Sequence, residues 1–181
     1  MFKHLKFMLT YPKIGPDMYL THWLLYYKPF RKWFQKRKMS KIGVNSEIRP
    51  FCYIDGTNNV EIGDNVIIPN GVILATDPSN PAGKIIIEDD VLFAPNCAVY
   101  CTSHNFSDIT RPVKLQGDIV ATTIIRKGAW IGINSVIMPG VIIGRNSVIG
   151  ANSVVTQSIP DYCVAVGSPA KVIKTLKREN E

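Results

Sequence analysis

A large apolar residue returns at every sixth position over long stretches of this chain. The pattern runs without a break from Ile125 to Val155, and the same spacing occurs from Ile42 to Ile54. The residues that share this register are Ile42, Ile48, Ile54, Ile62, Ile68, Leu74, Ile87, Phe93, Val99, Ile125, Ile131, Ile137, Ile143, Ile149 and Val155. A period of six matches neither the 3.6-residue helix nor the two-residue strand, so it indicates a solenoid built from short repeats.

Small residues occupy a second interior position, four residues after most repeat starts. They are Ser46, Cys52, Val66, Val72, Val91, Cys97, Ser135, Val141, Ser147 and Ser153. A tightly wound β-solenoid needs one bulky and one compact side chain inside each flat face. The alternation therefore predicts short strands joined at corners.

Insertions between repeats always follow the third repeat of a group. The repeat starts keep the six-residue spacing except for three longer gaps, which precede Ile62, Ile87 and Ile125. Three repeats therefore make one turn, and about five triangular coils fill residues 42–160. All insertions leave from one edge of the prism, where we expect a binding surface. The longest insertion, residues 103–123, holds the only histidine of this region.

Residues 1–41 differ from the repeats in charge and aromatic content. They contain 10 of the 21 lysines and arginines, 10 of the 17 aromatic residues and one acid, so they carry +9 (10 − 1), whereas the rest of the chain carries −2 (11 − 13). Residues 19–27 and 30–38 are predicted to be helical, with a break or start near Pro29. Two interpretations stay open. The segment is a helical cap on the first coil, or it contacts an anionic membrane through Lys36, Arg37 and Lys38.

The remaining features bound the class of protein. No apolar run approaches the ~20 residues of a transmembrane helix and no secretory cleavage pattern is present, so we expect a cytoplasmic protein, with peripheral contact at the inner face of the membrane as the open alternative. Cys52 and Cys97 occupy interior positions, which favours reduced thiols over disulfides. No histidine or cysteine spacing completes a metal site, and the basic segment lacks a nucleic-acid-reading motif. We therefore expect neither a metal nor a nucleic-acid partner.

Three segments near the C-terminus resemble the hexapeptide-repeat acyltransferases, in the branch of xenobiotic, galactoside and maltose acetyltransferases. They are residues 131–144 (IGINSVIMPGVIIG), 149–156 (IGANSVVT) and 167–173 (GSPAKVI). The loop segment Ser103-His104-Asn105-Phe106, with Pro112 and Gln116-Gly117, most resembles O-acetyltransferases of bacterial polysaccharides. The resemblance covers residues 42–175. It implies an all-β, left-handed parallel β-helix with an N-terminal helical segment (1–41) and a short C-terminal tail (161–181), a homotrimer with active sites between subunits, and acetyl-CoA as donor.

His104 is the candidate general base. An alcohol attacks a thioester poorly, and a neutral imidazole that takes the hydroxyl proton as the new bond forms contributes ~10²- to 10⁴-fold. Imidazole suits this task because its charge changes close to neutral pH. A loop histidine that only caps a corner is the alternative, and the resemblance favours the base. His4 and His22 lie in the basic segment and are expected to be surface or packing residues.

The same loop is expected to bind the acceptor. Asn105 and Gln116 offer amide groups to sugar hydroxyls, and Phe106 offers a ring face to a pyranose. Asp118 stands where the galactoside branch has a glutamate near the acceptor and the catalytic histidine, and its shorter side chain leaves that role open. Asn96 is interpreted as a corner residue of the solenoid.

The resemblance also implies a donor site. Pantetheine is expected to lie along a prism edge against backbone groups near Ile133 and Ala151, with Trp130 as part of the wall. Lys171 and Lys174 are expected to bind the CoA phosphates. Plain packing for Trp130 and solvation for the two lysines remain the alternatives.

These features predict an acetyl-CoA-dependent O-acetyltransferase of a sugar hydroxyl, in capsule, O-antigen or exopolysaccharide synthesis. The alternatives are an N-acetyltransferase of a nucleotide-linked amino sugar and a xenobiotic O-acetyltransferase. Many N-acetyltransferases of that kind carry an N-terminal nucleotide-sugar-binding domain, and the segment 1–41 is too short to form one. A carbonic anhydrase on the same helix needs three zinc-binding histidines, which the repeat region lacks.

Overall fold

The computed structural model describes the backbone of residues 2–177 and the side chains of residues 5–177, so the expectation for His4 lies outside the described side chains.

Three sheets surround one core. Sheet A contains β1 (Lys13–Ile14), β4 (Tyr53–Asp55), β7 (Ile73–Ala75), β10 (Ala98–Tyr100), β15 (Val136–Ile137) and β18 (Val154–Val155). Sheet B contains β2 (Lys41–Ile42), β5 (Val60–Ile62), β8 (Ile85–Ile87), β13 (Thr123–Ile125) and β16 (Ile142–Ile143). Sheet C contains β3 (Glu47–Ile48), β6 (Ile67–Ile68), β9 (Leu92–Phe93), β14 (Trp130–Ile131), β17 (Val148–Ile149), β19 (Cys163–Gly167) and β20 (Ala170–Thr175).

Each coil runs through the sheets in the order B, C, A, and successive coils pair in parallel. Ile62, for example, pairs with Ile42 of the preceding coil and with Ile87 of the following one. The three insertions all leave between a strand of sheet A and the next strand of sheet B, which we call the insertion edge. The predicted prism with insertions on one edge is therefore confirmed.

The interior follows the six-residue pattern. Of the fifteen repeat starts, fourteen are buried and Ile42 is partly buried. The ten small positions are buried as well, and most of the serines among them bond to backbone of the next coil, as Ser147 does when its hydroxyl donates to Pro160 O at 2.6 Å. A buried hydroxyl therefore keeps a hydrogen-bond partner.

The corners explain the asparagines that precede many small positions. Asn45, Asn65, Asn96, Asn134 and Asn152 all have φ between 57° and 60°. Asparagine tolerates this left-handed conformation better than other residues with a Cβ. The interpretation of Asn96 as a corner residue agrees with this geometry.

Residues after the last full coil still pair with the prism and do not form an unpaired tail. β19 pairs in parallel with β17, and Ile159 forms a parallel bridge with Ile143, which adds part of a further layer to two sheets. β20 then turns back antiparallel to β19 and ends the stack.

The N-terminal segment forms a cap of three helices, α1 (Phe2–Thr10), α2 (Tyr19–His22) and α3 (Lys28–Lys38), with a 3-10 helix at Trp23–Tyr26. Pro29 lies in the first turn of α3, where its missing N–H costs nothing. Helix α3 covers the open end of the core, because Phe34 is buried and Gln35 Nε2 donates to Ile48 O at 2.6 Å. The helical cap expected from the sequence is present, together with α1 and β1.

Lys38 does not lie on the outer surface of this cap. Its Nζ donates to Met8 O at 2.7 Å and to Tyr11 O, which joins α3 to α1. Burial lowers the pKa of Lys38 to about 8. The grouping of Lys38 with Lys36 and Arg37 as exposed cations is therefore wrong, because packing on α1 turns it inward.

Candidate functional site

The longest insertion forms a β-hairpin from β11 (Thr102–His104) and β12 (Asp118–Val120). His104 lies opposite Asp118 in the antiparallel register, and its Nδ1 is 2.6 Å from Asp118 Oδ1. A carboxylate only accepts, so the pairing assigns the proton to Nδ1 and leaves the Nε2 lone pair of a neutral ring free. Asp118 is thus placed to orient His104 despite its shorter side chain.

A cleft of about 490 Å³ opens beside His104 at the insertion edge. Its walls include Asp55, Thr76, Asp77, Tyr100, Asp118 and Met138. Because the strands of sheet A that carry or precede these residues run in parallel, their carboxyl ends meet at the same edge. The cleft joins the hairpin to four successive coils.

Two acids of this cleft were not singled out in the sequence. Asp55 Oδ1 is buried and has no hydrogen-bond partner among the described residues, so the cleft wall contains an acceptor whose hydrogen bond is not made within the chain. Asp77 accepts hydrogen bonds from Ser79 N at 2.8 Å and Ser79 Oγ at 2.6 Å, and these bonds lower the pKa of its carboxyl. Both acids lie in the third repeat of a coil, next to an insertion. This position could have identified them from the sequence as residues of the insertion edge.

The other predicted acceptor residues have contacts within the insertion. Gln116 Oε1 accepts from Asp108 N at 2.9 Å, and its Nε2 donates to the backbone of Asp108 and Arg111. Asn105 Oδ1 accepts from the backbone and hydroxyl of Ser107, while Phe106 is 72% exposed. None of the three predicted residues lines the cleft beside His104.

The predicted donor residues lie on other parts of the prism. Trp130 is half exposed on sheet C, and Ile133 and Ala151 occupy the corners between sheets C and A, where Ile133 O accepts from Asn152 N at 2.9 Å. Lys171 and Lys174 are exposed on β20. One chain therefore brings neither group to the insertion edge where His104 lies.

The four cysteines and His22 lie outside the lining of this cleft. Cys52, Cys97, Cys101 and Cys163 are free and buried, and burial raises the pKa of Cys52 to about 12. Residues 2–177 contain no group of three or more His, Cys, Asp or Glu arranged to hold a metal ion. His22 is partly buried against Tyr26 and Phe51, and burial lowers its pKa. Among the described helices none is long and apolar enough to cross a bilayer.

Several curated proteins are similar to this chain in sequence. Residues 122–157 match the family described as Bacterial transferase hexapeptide (six repeats). The galactoside O-acetyltransferase of Escherichia coli (strain K12) is 34% identical over 142 residues, 78% of this chain and 66% of the relative. WbbJ of the same organism, provisionally named a lipopolysaccharide biosynthesis O-acetyl transferase, is 30% identical over 76% of this chain and 61% of the relative. The dTDP-3-amino-3,6-dideoxy-alpha-D-galactopyranose 3-N-acetyltransferase of Aneurinibacillus thermoaerophilus is 58% identical over 28% of this chain and 26% of the relative. The chain thus spans two thirds or less of the length of these relatives.

Solved structures share the fold. The hexapeptide-repeat acetyltransferase VCA0836 of Vibrio cholerae O1 biovar eltor, complexed with acetyl coenzyme A, matches 84% of this chain and 79% of that chain, with a TM-score of 0.74 and 32% identity. A galactoside acetyltransferase in complex with coenzyme A matches 85% of this chain and 78% of that chain, with a TM-score of 0.75 and 31% identity. These matches and the stacked parallel sheets confirm the prediction of a left-handed parallel β-helix.

Proposed function

The chain belongs to the hexapeptide-repeat transferases, and from this membership we propose that it is an acetyl-CoA-dependent O-acetyltransferase of a sugar hydroxyl. The observation that carries the proposal is the His104–Asp118 pair at 2.6 Å, which stands beside a cleft on the insertion edge. A base oriented by a carboxylate next to a substrate-sized cleft is the arrangement that activates a weak nucleophile.

His104 acts as general base in this reaction. Its Nε2 takes the proton of the acceptor hydroxyl while the hydroxyl oxygen bonds to the acetyl carbonyl carbon. The carbon–sulfur bond then breaks, and the departing CoA thiolate takes the proton from the imidazolium. Asp118 stabilises the imidazolium and keeps Nε2 directed to the acceptor, as carboxylates do in other base–carboxylate pairs.

The acceptor is a neutral, polyhydroxylated sugar of a bacterial polysaccharide. The cleft walls contain Asp55, Asp77 and Asp118 but no lysine or arginine among the described residues. Carboxylates accept hydrogen bonds from sugar hydroxyls, and they repel phosphates. The similarity to WbbJ supports an acceptor in cell-surface glycan synthesis.

Acetyl-CoA is the donor, and Lys171 and Lys174 bind its phosphates while Trp130, Ile133 and Ala151 line the pantetheine path. The acetyl-CoA complex of the Vibrio cholerae protein supports the choice of donor. The enzyme works in the cytoplasm, an assignment that the four free cysteines support.

The working enzyme is a homotrimer in which one subunit supplies His104 and a neighbour supplies the donor surface. Two observations support this assembly. Within one chain the donor residues lie away from the insertion edge that carries His104. Sheet C also exposes an apolar row formed by Ile67, Leu92 and Trp130, which are 39, 57 and 48% exposed and neighbours in register. Apolar patches of this kind mark interfaces. A fully active species of 20.2 kDa in light scattering would contradict the trimer.

An N-acetyltransferase of a nucleotide-linked amino sugar is the second candidate, and the 58% identity over 50 residues to such an enzyme favours it. The amine of a nucleotide-linked amino sugar would also suit the acidic cleft, whereas the diphosphate of that substrate would be repelled by the carboxylates. The xenobiotic O-acetyltransferase stays a third reading of the same chemistry.

A panel of acceptors distinguishes these candidates. Purified protein is supplied with acetyl-CoA and with neutral sugars, glycan fragments, nucleotide-linked amino sugars or hydroxylated antibiotics, and release of the CoA thiol is followed. We expect turnover on neutral glycan hydroxyls that disappears in His104→Ala. Turnover confined to amino sugars or to antibiotics would replace the proposal, and no turnover on any acceptor would reject it.

A further inference from the structure

The outward surface of the cap exposes an aromatic cluster, which we define as Trp23, Tyr27, Phe30 and Trp33. Their exposed fractions are 49, 58, 53 and 51%. The ring centroid of Trp23 lies 6.2 Å from that of Tyr27 and 6.3 Å from that of Phe30. Trp33 follows Phe30 by three residues on α3, which places both on the same side of the helix. The cluster is an apolar patch that the fold of one chain leaves uncovered.

Helix α3 also carries several exposed cations. Lys28, Lys32 and Lys36 follow one another at four-residue spacing and are exposed, and none of them forms an ion pair within residues 2–177. The guanidinium of Arg37 lies 5.8 Å from the ring of Trp33. Arg37 therefore borders the ring of Trp33, while Lys32 and Lys36 lie beside residues 42–46 of the first coil.

The opposite side of α3 provides the contrast. Phe34, Gln35 and Lys38 are buried against the first coil and α1. The helix thus directs buried contacts inward and presents aromatic rings with unpaired cations outward, where an ordinary surface helix presents mixed charges.

We infer that this outer surface docks on an anionic lipid bilayer. Rings of tryptophan and tyrosine favour the headgroup region, and each lysine or arginine near an anionic surface contributes about 1 kcal/mol. The charge of the cap is complementary to an anionic bilayer, because residues 1–41 contain ten lysines and arginines and one acid. That acid, Asp17, is paired with Lys13 at 2.6 Å. The proposal concerns binding alone and does not depend on the acetyl-transfer reaction.

Assembly would strengthen the contact. If the proposed trimer has caps that face along its axis, symmetry presents three equivalent surfaces to one bilayer. Three weak sites on one rigid body then bind a bilayer with much higher avidity than one. A monomeric form of the protein would therefore bind vesicles more weakly, while its preference for anionic lipid would stay.

The test is co-sedimentation of the full chain with vesicles of phosphatidylglycerol and phosphatidylcholine, compared with vesicles of phosphatidylcholine alone. We expect binding to the anionic vesicles at low salt and release as salt rises, because exposed charges are screened within about 10 Å at 0.1 M ionic strength. Two variants probe the surface: Lys32→Gln with Lys36→Gln and Arg37→Gln, and Trp23→Ser with Trp33→Ser. Both should lose most of the bound fraction.

A matched control removes exposed cations elsewhere. Arg145→Gln with Lys177→Gln changes two exposed charges on the prism and at its C-terminal end, and this variant should sediment like the wild type. Thermal melting of each variant shows that the fold is retained. In a Trp130→Phe background the two remaining tryptophans, Trp23 and Trp33, both belong to the cluster. Their emission should shift to the blue on anionic vesicles.

Three results would overturn the inference. Wild-type protein could stay in the supernatant with anionic vesicles at low salt, or the control variant could lose as much binding as the cap variants. The cap variants could also lower the mass of the assembly without changing sedimentation, which would show that the cluster is a contact between subunits. None of these readouts requires an active enzyme, so failure here and failure of the proposed reaction remain distinguishable.

Discussion

The β-helix and the N-terminal cap use their side chains in different ways. In the β-helix, interior positions recur every six residues and nearly all repeat starts are buried, while the cleft beside His104 lies at the insertion edge. In the cap, a few residues such as Phe34 and Gln35 contact the prism, and most aromatic and basic residues face outward. We propose that one region builds and positions a site, whereas the other presents a surface for a partner.

Truncation of one large residue in each region should expose this contrast in stability. Ile131 is fully buried, so Ile131→Ala is expected to lower the free energy of unfolding by about 2–5 kcal/mol. Trp33→Ala removes a half-exposed ring and should cost less than about 1 kcal/mol. Urea unfolding at one protein concentration measures both. Equal losses would mean that the cap depends on its outer rings as the prism depends on its core.

The Asp118–His104 pair tests whether chemistry belongs to the insertion edge. Asp118→Asn removes the carboxylate that fixes the proton on Nδ1, so we expect kcat to fall about 10- to 100-fold with KM for acetyl-CoA little changed. Asp118→Glu keeps the carboxylate and should recover part of the activity. A change in KM alone, or no recovery by glutamate, would assign Asp118 to acceptor binding or to loop structure instead.

Lys38 tests how the cap is held. Its pKa is lowered from 10.5 to about 8, so between these values the unfolded chain binds a proton that the folded chain has released, and stability from this residue rises with pH. The wild type should gain on the order of 1 kcal/mol across this window relative to Lys38→Met, after allowance for solvent screening. Parallel stability curves for the two proteins would show that Lys38 is solvated.

The smallest effect is expected at the C-terminal end of the prism. Lys171→Ala with Lys174→Ala should weaken acetyl-CoA about threefold, since exposed charge pairs contribute up to about 1 kcal/mol. Binding of a dephospho analogue should change less. Equal weakening of both donors would mean that these lysines do not contact the phosphate assigned to them.

The two regions also differ in how far their sequences predict them. The strict period of six and the small residue four positions later determine strands, corners and the insertion edge, because every coil repeats the same packing problem. The cap has no repeat, and nothing in its basic run distinguishes Lys38 from Lys36. Only the contact of α3 with α1 decides which of the two is buried.

The candidate site is less predictable from the sequence than the β-helix and more predictable than the cap. His104 could be predicted from its loop and from the family resemblance. Its contact with Asp118 depends on the register of a hairpin that closes over the intervening insertion, and this register follows from turn geometry rather than from a repeated pattern. Asp55 and Asp77 reach the cleft because parallel strands end at one edge. Their place in the third repeat of a coil indicates that edge, but only the stacking of coils brings the two acids together.

The most direct measurement compares two histidines, one in each region. Acetyl transfer from acetyl-CoA to the best neutral glycan acceptor is measured for His104→Ala and for His22→Gln, with mass and melting of both proteins determined alongside. We expect His104→Ala to lose at least ~10²-fold in kcat with mass and melting near wild type, because an exposed loop imidazole does not support the core. His22→Gln should keep its turnover. Transfer by His104→Ala within a few-fold of the wild type would contradict the assignment of His104 as the base.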